Sequence, residues 1–251
     1  MNETEVNRFL KGFIRKHRAT LDRVSYSQSQ TLELALAVST SQHYALSGYQ
    51  VAPLNPKGNT FVVKTSTRGH PANVSRFVVS RGSSTFEIHM NLLVRSAHDK
   101  GIYCVDLGVV PEGLVPVKKT GPKWICLSNE KLISFAESKK LVIYPMLIAQ
   151  FIGIVHEVTP RFLQRPHLGG FLHAGHFPPT LVCLGYFSGT SRAIVEGLRS
   201  RGIRLQVIPD FDTRLALLRR GDRESPFNDF RSRRPSRASP RLTPQPRVRA
   251  V

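Results

Sequence analysis

The chain has 251 residues, 41% of them hydrophobic, and its 36 Lys and Arg against 17 Asp and Glu give a formal net charge of +19. That is enough apolar material for one substantial core, and a basic excess of this size points to a polyanionic partner, nucleic acid before an anionic membrane surface. No run approaches the roughly 18 apolar residues of a membrane span, and the start of the chain lacks a signal-peptide apolar core. Cys104, Cys126 and Cys183 lie far apart with no C-x-x-C pair, so the expectation is reduced, buried thiols in a cytoplasmic protein with no membrane association.

Residues 1–26 read as a basic helical segment. Val6, Phe9, Leu10, Phe13 and Ile14 recur at helical spacing among Arg8, Lys11, Arg15, Lys16 and Arg18, which leaves one packed face and one basic face, either for nucleic acid or for solvent. A second helix is predicted over Ser27–Tyr44, with Thr31 as a candidate cap and a body of Leu32, Leu34, Ala35, Leu36, Ala37 and Val38 apolar enough to be largely buried. Glu33 sits in that body, near the helix start, where the dipole favours a carboxylate facing solvent.

From Tyr49 to Val110 the pattern changes to period two with β-branched residues. Strands are predicted at Phe61–Thr65, Arg76–Ser80, Phe86–Val94 and Ile102–Val110, punctuated by turns at Gly58-Asn59, Arg68–Pro71 and Arg81–Ser84. In the third of these, Glu87, His89 and Asn91 share a face opposite Phe86, Ile88 and Met90. That polar face is either half-exposed sheet or an extension of a functional surface. In the fourth, Asp106 lies among Val105, Leu107 and Val109, and burying a lone carboxylate there without a purpose is costly. Residues 111–128 form a long connection carrying Lys118, Lys119, Lys123 and the single Trp124, with a short strand at Trp124–Leu127 as one reading.

Ile133–Lys139 is a short apolar run carrying Glu137 and Lys139. Two residues apart in a strand, they point to the same face. A helix follows at Tyr144–Glu157, with Pro145 suited to its first turn and Gln150 the polar exception in its apolar body. His167, His173 and His176 fall in a Gly- and Pro-rich stretch whose spacing matches no zinc pattern, so it reads as a loop. A strand at Leu181–Tyr186, a helix at Ser191–Ser200 and a strand at Ile203–Ile208 complete a β-α-β ending. Beyond Arg219 the chain turns to Arg, Ser and Pro, too poor in large apolar residues to offset its ordering entropy, so a disordered basic tail is expected over 219–251. Together these elements predict an α/β domain over 27–218, a mixed central β-sheet flanked by helices.

Two carboxylates and a lysine brought to one sheet edge, Asp106, Glu137 and Lys139, would bind a hard divalent cation and keep a cation beside it for water or phosphate. An Asp in one strand, Glu-x-Lys ending the next and a long helix after it resembles the restriction-endonuclease-like, or PD-(D/E)XK, nuclease superfamily, on residues Asp106, Glu137 and Lys139. The resemblance covers the middle of the chain, and no proline precedes Asp106. It implies a Mg2+-dependent (or Mn2+-dependent) nuclease acting on DNA, with RNA open, in which Asp106 and Glu137 bind the metal and Lys139 positions the attacking water. It also marks Glu33 and Gln150 as accessory residues, since the superfamily sometimes supplies an acid from the helix before the sheet and a Gln from the helix after it. Glu87 joins them as an accessory candidate from its own strand face. The competing reading is a non-catalytic nucleic-acid-binding protein that uses only its basic surface, with Glu137 and Lys139 an ordinary ion pair. Oligomeric state is not legible in residue types.

Overall fold

The computed structural model describes residues 12, 15–16, 28–67, 69–115, 126–164 and 176–213. Most of the predicted basic N-terminal helix, the lysine cluster with Trp124, His167, His173 and the predicted basic tail lie outside the described residues.

Seven strands form one open mixed sheet in sequential order: β1 (Gln50–Leu54), β2 (Arg76–Arg81), β3 (Ser84–Arg95), β4 (Ile102–Pro111), β5 (Ser134–Lys139), β6 (Thr180–Cys183) and β7 (Gln206–Ile208). The first five pair antiparallel, whereas β5, β6 and β7 run parallel. Parallel neighbours need crossovers, and these are α2 (Pro145–Val158) and α3 (Ser191–Ser200). The preceding helix, α1 (Gln28–Leu46), is buried through Leu32, Leu34, Leu36 and Val38 against the opposite face. Two apolar cores result, one joining α1 to Phe77, Val79, Ile88 and Leu107, the other joining α2 and α3 to Leu92, Val105, Phe135 and Leu181. The predicted α/β class with a helix-covered mixed sheet is therefore observed.

Several details differ from the predictions. Phe61–Thr65 is not a strand. Phe61 and Val63 are buried as a strand's apolar residues would be, but Val62 exchanges its backbone bonds with Ser75, donating to Oγ and accepting from N, so no ladder forms. Thr31 lies inside α1 rather than capping it. β1 has no counterpart among the predicted strands. Of the three cysteines, only Cys183 is buried, and all are free. Leu127 forms a single bridge to Val94, all that the described residues show of a strand there.

The faces of the sheet change over at one place. Met90 and Leu107 enter the α1-side core, while Leu92 and Val105, two residues along each strand, enter the other. Positions two apart on a strand normally share a face. Between them lies Asn91, whose φ of 49° puts it in the left-handed region, which Asn tolerates better than most side chains. The register pairs 90 with 107 and 92 with 105 and omits Asn91. Asp106 lies directly across this kink.

Candidate metal and phosphodiester site

Asp106 and Glu137 meet where the β4–β5 ladder stops. The last backbone pair is Leu107 with Ala136, so the next pair outward would be Asp106 with Glu137. There the side chains take over from the backbone. Ser138 donates its N–H to Asp106 Oδ2 at 2.8 Å and its hydroxyl to the same oxygen at 3.0 Å. In return the Asp106 N–H donates to Glu137 Oε1 at 3.3 Å. Two carboxylates thus satisfy the donors that the splayed strands leave without a ladder. Lys139 Nζ donates to Glu137 Oε2 at 2.8 Å and lies 3.5 Å from Asp106 Oδ2. Asp106 from β4 and Glu137 and Lys139 from β5 thus meet at one point.

The electrostatics are unbalanced toward negative charge. Glu137 is 3% exposed, and burial, reinforced by the Asp106 carboxylate, pushes its pKa up to about 7 in spite of Lys139. Burial alone would lower Lys139, but Glu137 and Asp106 outweigh it and raise the ammonium's pKa. One lysine therefore does not fully compensate two carboxylates.

Glu33 makes a third. It is half-buried, whereas its position near the helix start suggested a fully solvent-facing carboxylate. Asn91 donates from Nδ2 to Glu33 Oε2 at 2.8 Å, and from the same atom to the Lys64 carbonyl at 2.9 Å. Burial raises the pKa of Glu33, the Asn91 bond opposes that, and Asp106 and Lys139 act on it through space. So α1 carries an acid into the field of the β4–β5 pair, held there by the residue at the kink. Lys64, 4% exposed, donates Nζ to the Asn91 carbonyl, and burial lowers its pKa. Neither Asn91's role nor Lys64's was legible beforehand. A polar residue at a break in an apolar alternation was the available signal.

The other accessory candidates lie elsewhere. Glu87 is buried with Arg76 Nε at 2.8 Å and His89 Nε2 at 2.9 Å, an internal network and so neither of the two exposed faces that the alternation allowed. Burial would raise Glu87, but His89 and Arg76 overcome it and lower its pKa. Burial also lowers His89, against the pull of Glu87. Gln150 is exposed on α2, with no polar partner that ties it to Asp106. Cys104, two residues before Asp106, has its thiol pushed up to about 11 by burial, which makes it a poor nucleophile.

One further group could hold a metal by composition. His98, His156 and Glu157 bring ligand atoms within 4.8 Å of one another, on the surface. Their arrangement is already explained by capping of α2. His98 Nε2 bonds the His156 carbonyl at 3.0 Å, the Ala97 N–H donates to the Glu157 carbonyl at 2.7 Å, and Ser96 Oγ donates to Glu157 Oε2 at 2.8 Å. The first two donors satisfy carbonyls that a helix end leaves open, and the third holds the Glu157 carboxylate.

No family model, curated protein or solved structure matches the chain. No helix among the described residues is long and apolar enough to cross a membrane.

Proposed function

We propose that the protein is a metal-dependent nuclease of the PD-(D/E)XK type that hydrolyses phosphodiester bonds in nucleic acid, DNA before RNA. The observation that carries the reading is the meeting of Asp106 and Glu137 at the end of the β4–β5 ladder, with Lys139 Nζ 2.8 Å from one carboxylate and 3.5 Å from the other. The order of elements around them supports it: an Asp strand, an antiparallel Glu-x-Lys strand, then α2 crossing over to a parallel strand.

The donor set suits a hard divalent cation. Asp106, Glu137 and Glu33 offer only carboxylate oxygen, the preferred ligand of Mg2+ and Mn2+, and a bound cation would favour the ionised form of Glu137, which burial first and the Asp106 carboxylate second disfavour. Bound by Asp106 and Glu137, with Glu33 the third acid at hand, such an ion would supply a lowered water pKa and neutralisation of charge on the scissile phosphate. Lys139, with Glu137 fixing its ammonium, orients a water and offsets negative charge that grows on the phosphate oxygens. Ser138 holds the Asp106 carboxylate in position through two hydrogen bonds. Asn91 does the same for Glu33. The net charge of +19 favours approach of the polyanion.

The deciding experiment is cleavage of supercoiled and linear DNA in Mg2+ or Mn2+ and in EDTA, with wild type and Glu137→Ala compared directly. Metal-dependent cutting that the variant loses while still binding DNA supports the reading. Salt-sensitive binding with no cutting by either protein selects the non-catalytic binding protein instead.

A further inference from the structure

Among the described residues, seven large apolar side chains are exposed, and four of them, Leu141, Tyr144, Met146 and Tyr186, belong to two adjoining segments. The segments are tied together by backbone. Leu184 donates to the Lys139 carbonyl at 3.1 Å, Ile143 to the Tyr186 carbonyl at 2.8 Å and Ser188 to the Ile143 carbonyl at 2.9 Å. Ile143 and Phe187 form a parallel bridge. In such a bridge the residues flanking the pair point to the other side, so Tyr144 and Tyr186 share a face opposite the buried Ile143. Tyr186 is 62% exposed and Met146 61%.

Location gives this patch its meaning. β5 and β6 are parallel and both end here, and the carboxyl ends of parallel strands are where open α/β sheets bind ligands. The patch begins two residues beyond Lys139. Tyr144 is five residues on, so an extended chain places it at most ~17 Å from the candidate site. Lys140 is exposed between site and patch, and Arg192 stacks 5.0 Å over the Phe187 ring. The Asp210 N–H donates to the Gly185 carbonyl at 3.2 Å, which brings one acid beside this segment. Self-association would set two chains of charge +19 against each other. Exposed aromatic rings beside basic side chains are the means by which proteins hold unpaired bases, since every base offers a π-face and a single strand leaves it open.

We propose that Tyr144 and Tyr186, with Met146 and Leu141 exposed on the same two segments, form a stacking platform for unpaired bases, which makes single-stranded or frayed nucleic acid the substrate next to the Asp106–Glu137–Lys139 site. The inference rests on the nuclease reading for its substrate but is tested without catalysis. Both tyrosines are exposed, so their truncation leaves the cores intact.

The test measures binding in EDTA of a fluorescein-labelled 20-nucleotide single strand and of the blunt duplex of the same sequence. The proteins are wild type, Tyr144→Ala/Tyr186→Ala and Tyr144→Phe/Tyr186→Phe, each checked by sedimentation. The expected result is ~10-fold or greater loss of single-strand affinity in the alanine variant, duplex affinity within about twofold, and retention of both in the phenylalanine variant. Equal loss on both ligands, no loss on either, or no nucleic-acid binding by wild type overturns the platform. So does a change of oligomeric state in the alanine variant, which would make the patch a self-association surface. Because no metal is present, an absence of cleavage in the earlier assay would refute the nuclease while leaving this outcome readable.

Discussion

Replacing Glu137 by Gln should make the metal-free protein more stable at pH 8 while abolishing cleavage. The carboxyl goes from an ordinary value of 4.5 to about 7 on folding, through burial first and Asp106 second. A raised carboxyl pKa means that the folded chain holds a proton the unfolded chain has released. Stability is therefore greatest below 4.5, falls as pH rises toward 7, and stays low above it. At 1.36 kcal/mol per pH unit, ionising Glu137 costs the fold ~3 kcal/mol at pH 8. That cost is already net of the attraction to Lys139; Glu137→Gln removes it but leaves the ammonium a weaker, neutral acceptor, so a gain of ~1–3 kcal/mol is expected. Urea denaturation in EDTA at pH 5 and pH 8 reads it directly: the wild-type midpoint drops between the two, and the variant's drops less. Saturating Mg2+ then stabilises wild type, by ~2.7 kcal/mol at a hundred times its Kd, and leaves the variant unchanged. A variant less stable than wild type at pH 8 in EDTA would refute the reasoning, since Glu137 would then be a structural ion-pair partner rather than an acid held at a cost.

Further outcomes follow from the same contacts. Asn91→Gly removes the bond to Glu33 yet suits the left-handed backbone, so Mn2+ affinity by calorimetry should fall ~10-fold, the worth of one charge-assisted hydrogen bond. Asn91→Ala should match it in Mn2+ affinity and be ~1–2 kcal/mol less stable, because a Cβ is disfavoured at φ 49°. Arg76→Leu leaves the buried Glu87 carboxylate with His89 in place of a permanent cation and should cost ~3 kcal/mol by urea denaturation, part of it recovered in Arg76→Leu/Glu87→Leu. Gly185→Ala would place its Cβ 2.7 Å from Val142 Cα and 2.8 Å from the Leu141 carbonyl oxygen. These are backbone atoms that cannot rotate away, so the variant should unfold at lower urea and bind single strands more weakly.

The triad was legible because charge interrupts apolar runs, and a strand's two-residue period fixes which charges share a face. Helix α2 was legible for the same reason, since its apolar stretch and Pro145 bound it within a residue of the observed limits. What escaped the sequence depends on contacts between distant elements. β1 carries Pro53 at the sheet edge, where a missing N–H is tolerated and the strand signal is weak. Glu87 and His89 alternate like a solvated face, and only Arg76 on the neighbouring strand makes their burial affordable. Glu33 has a helical neighbourhood that favours solvent. Its place near Asp106 is set by Asn91, 58 residues further along, and no local pattern encodes that.

The substitution of side chains for backbone at the end of the β4–β5 ladder has a consequence for how the site can change over generations. Asp106 both offers oxygen to the site and anchors the Ser138 amide. A drifting sequence that loses it forfeits a carboxylate of the proposed site and local order together, and selection acts on both losses at once. Lys139 holds no backbone group in this way. Lys139 is tied to the two carboxylates by charge alone, so a descendant that loses it keeps the bonds between Asp106, Glu137 and the Ser138 amide but must shed negative charge at the same point, by protonating Glu137 or replacing it.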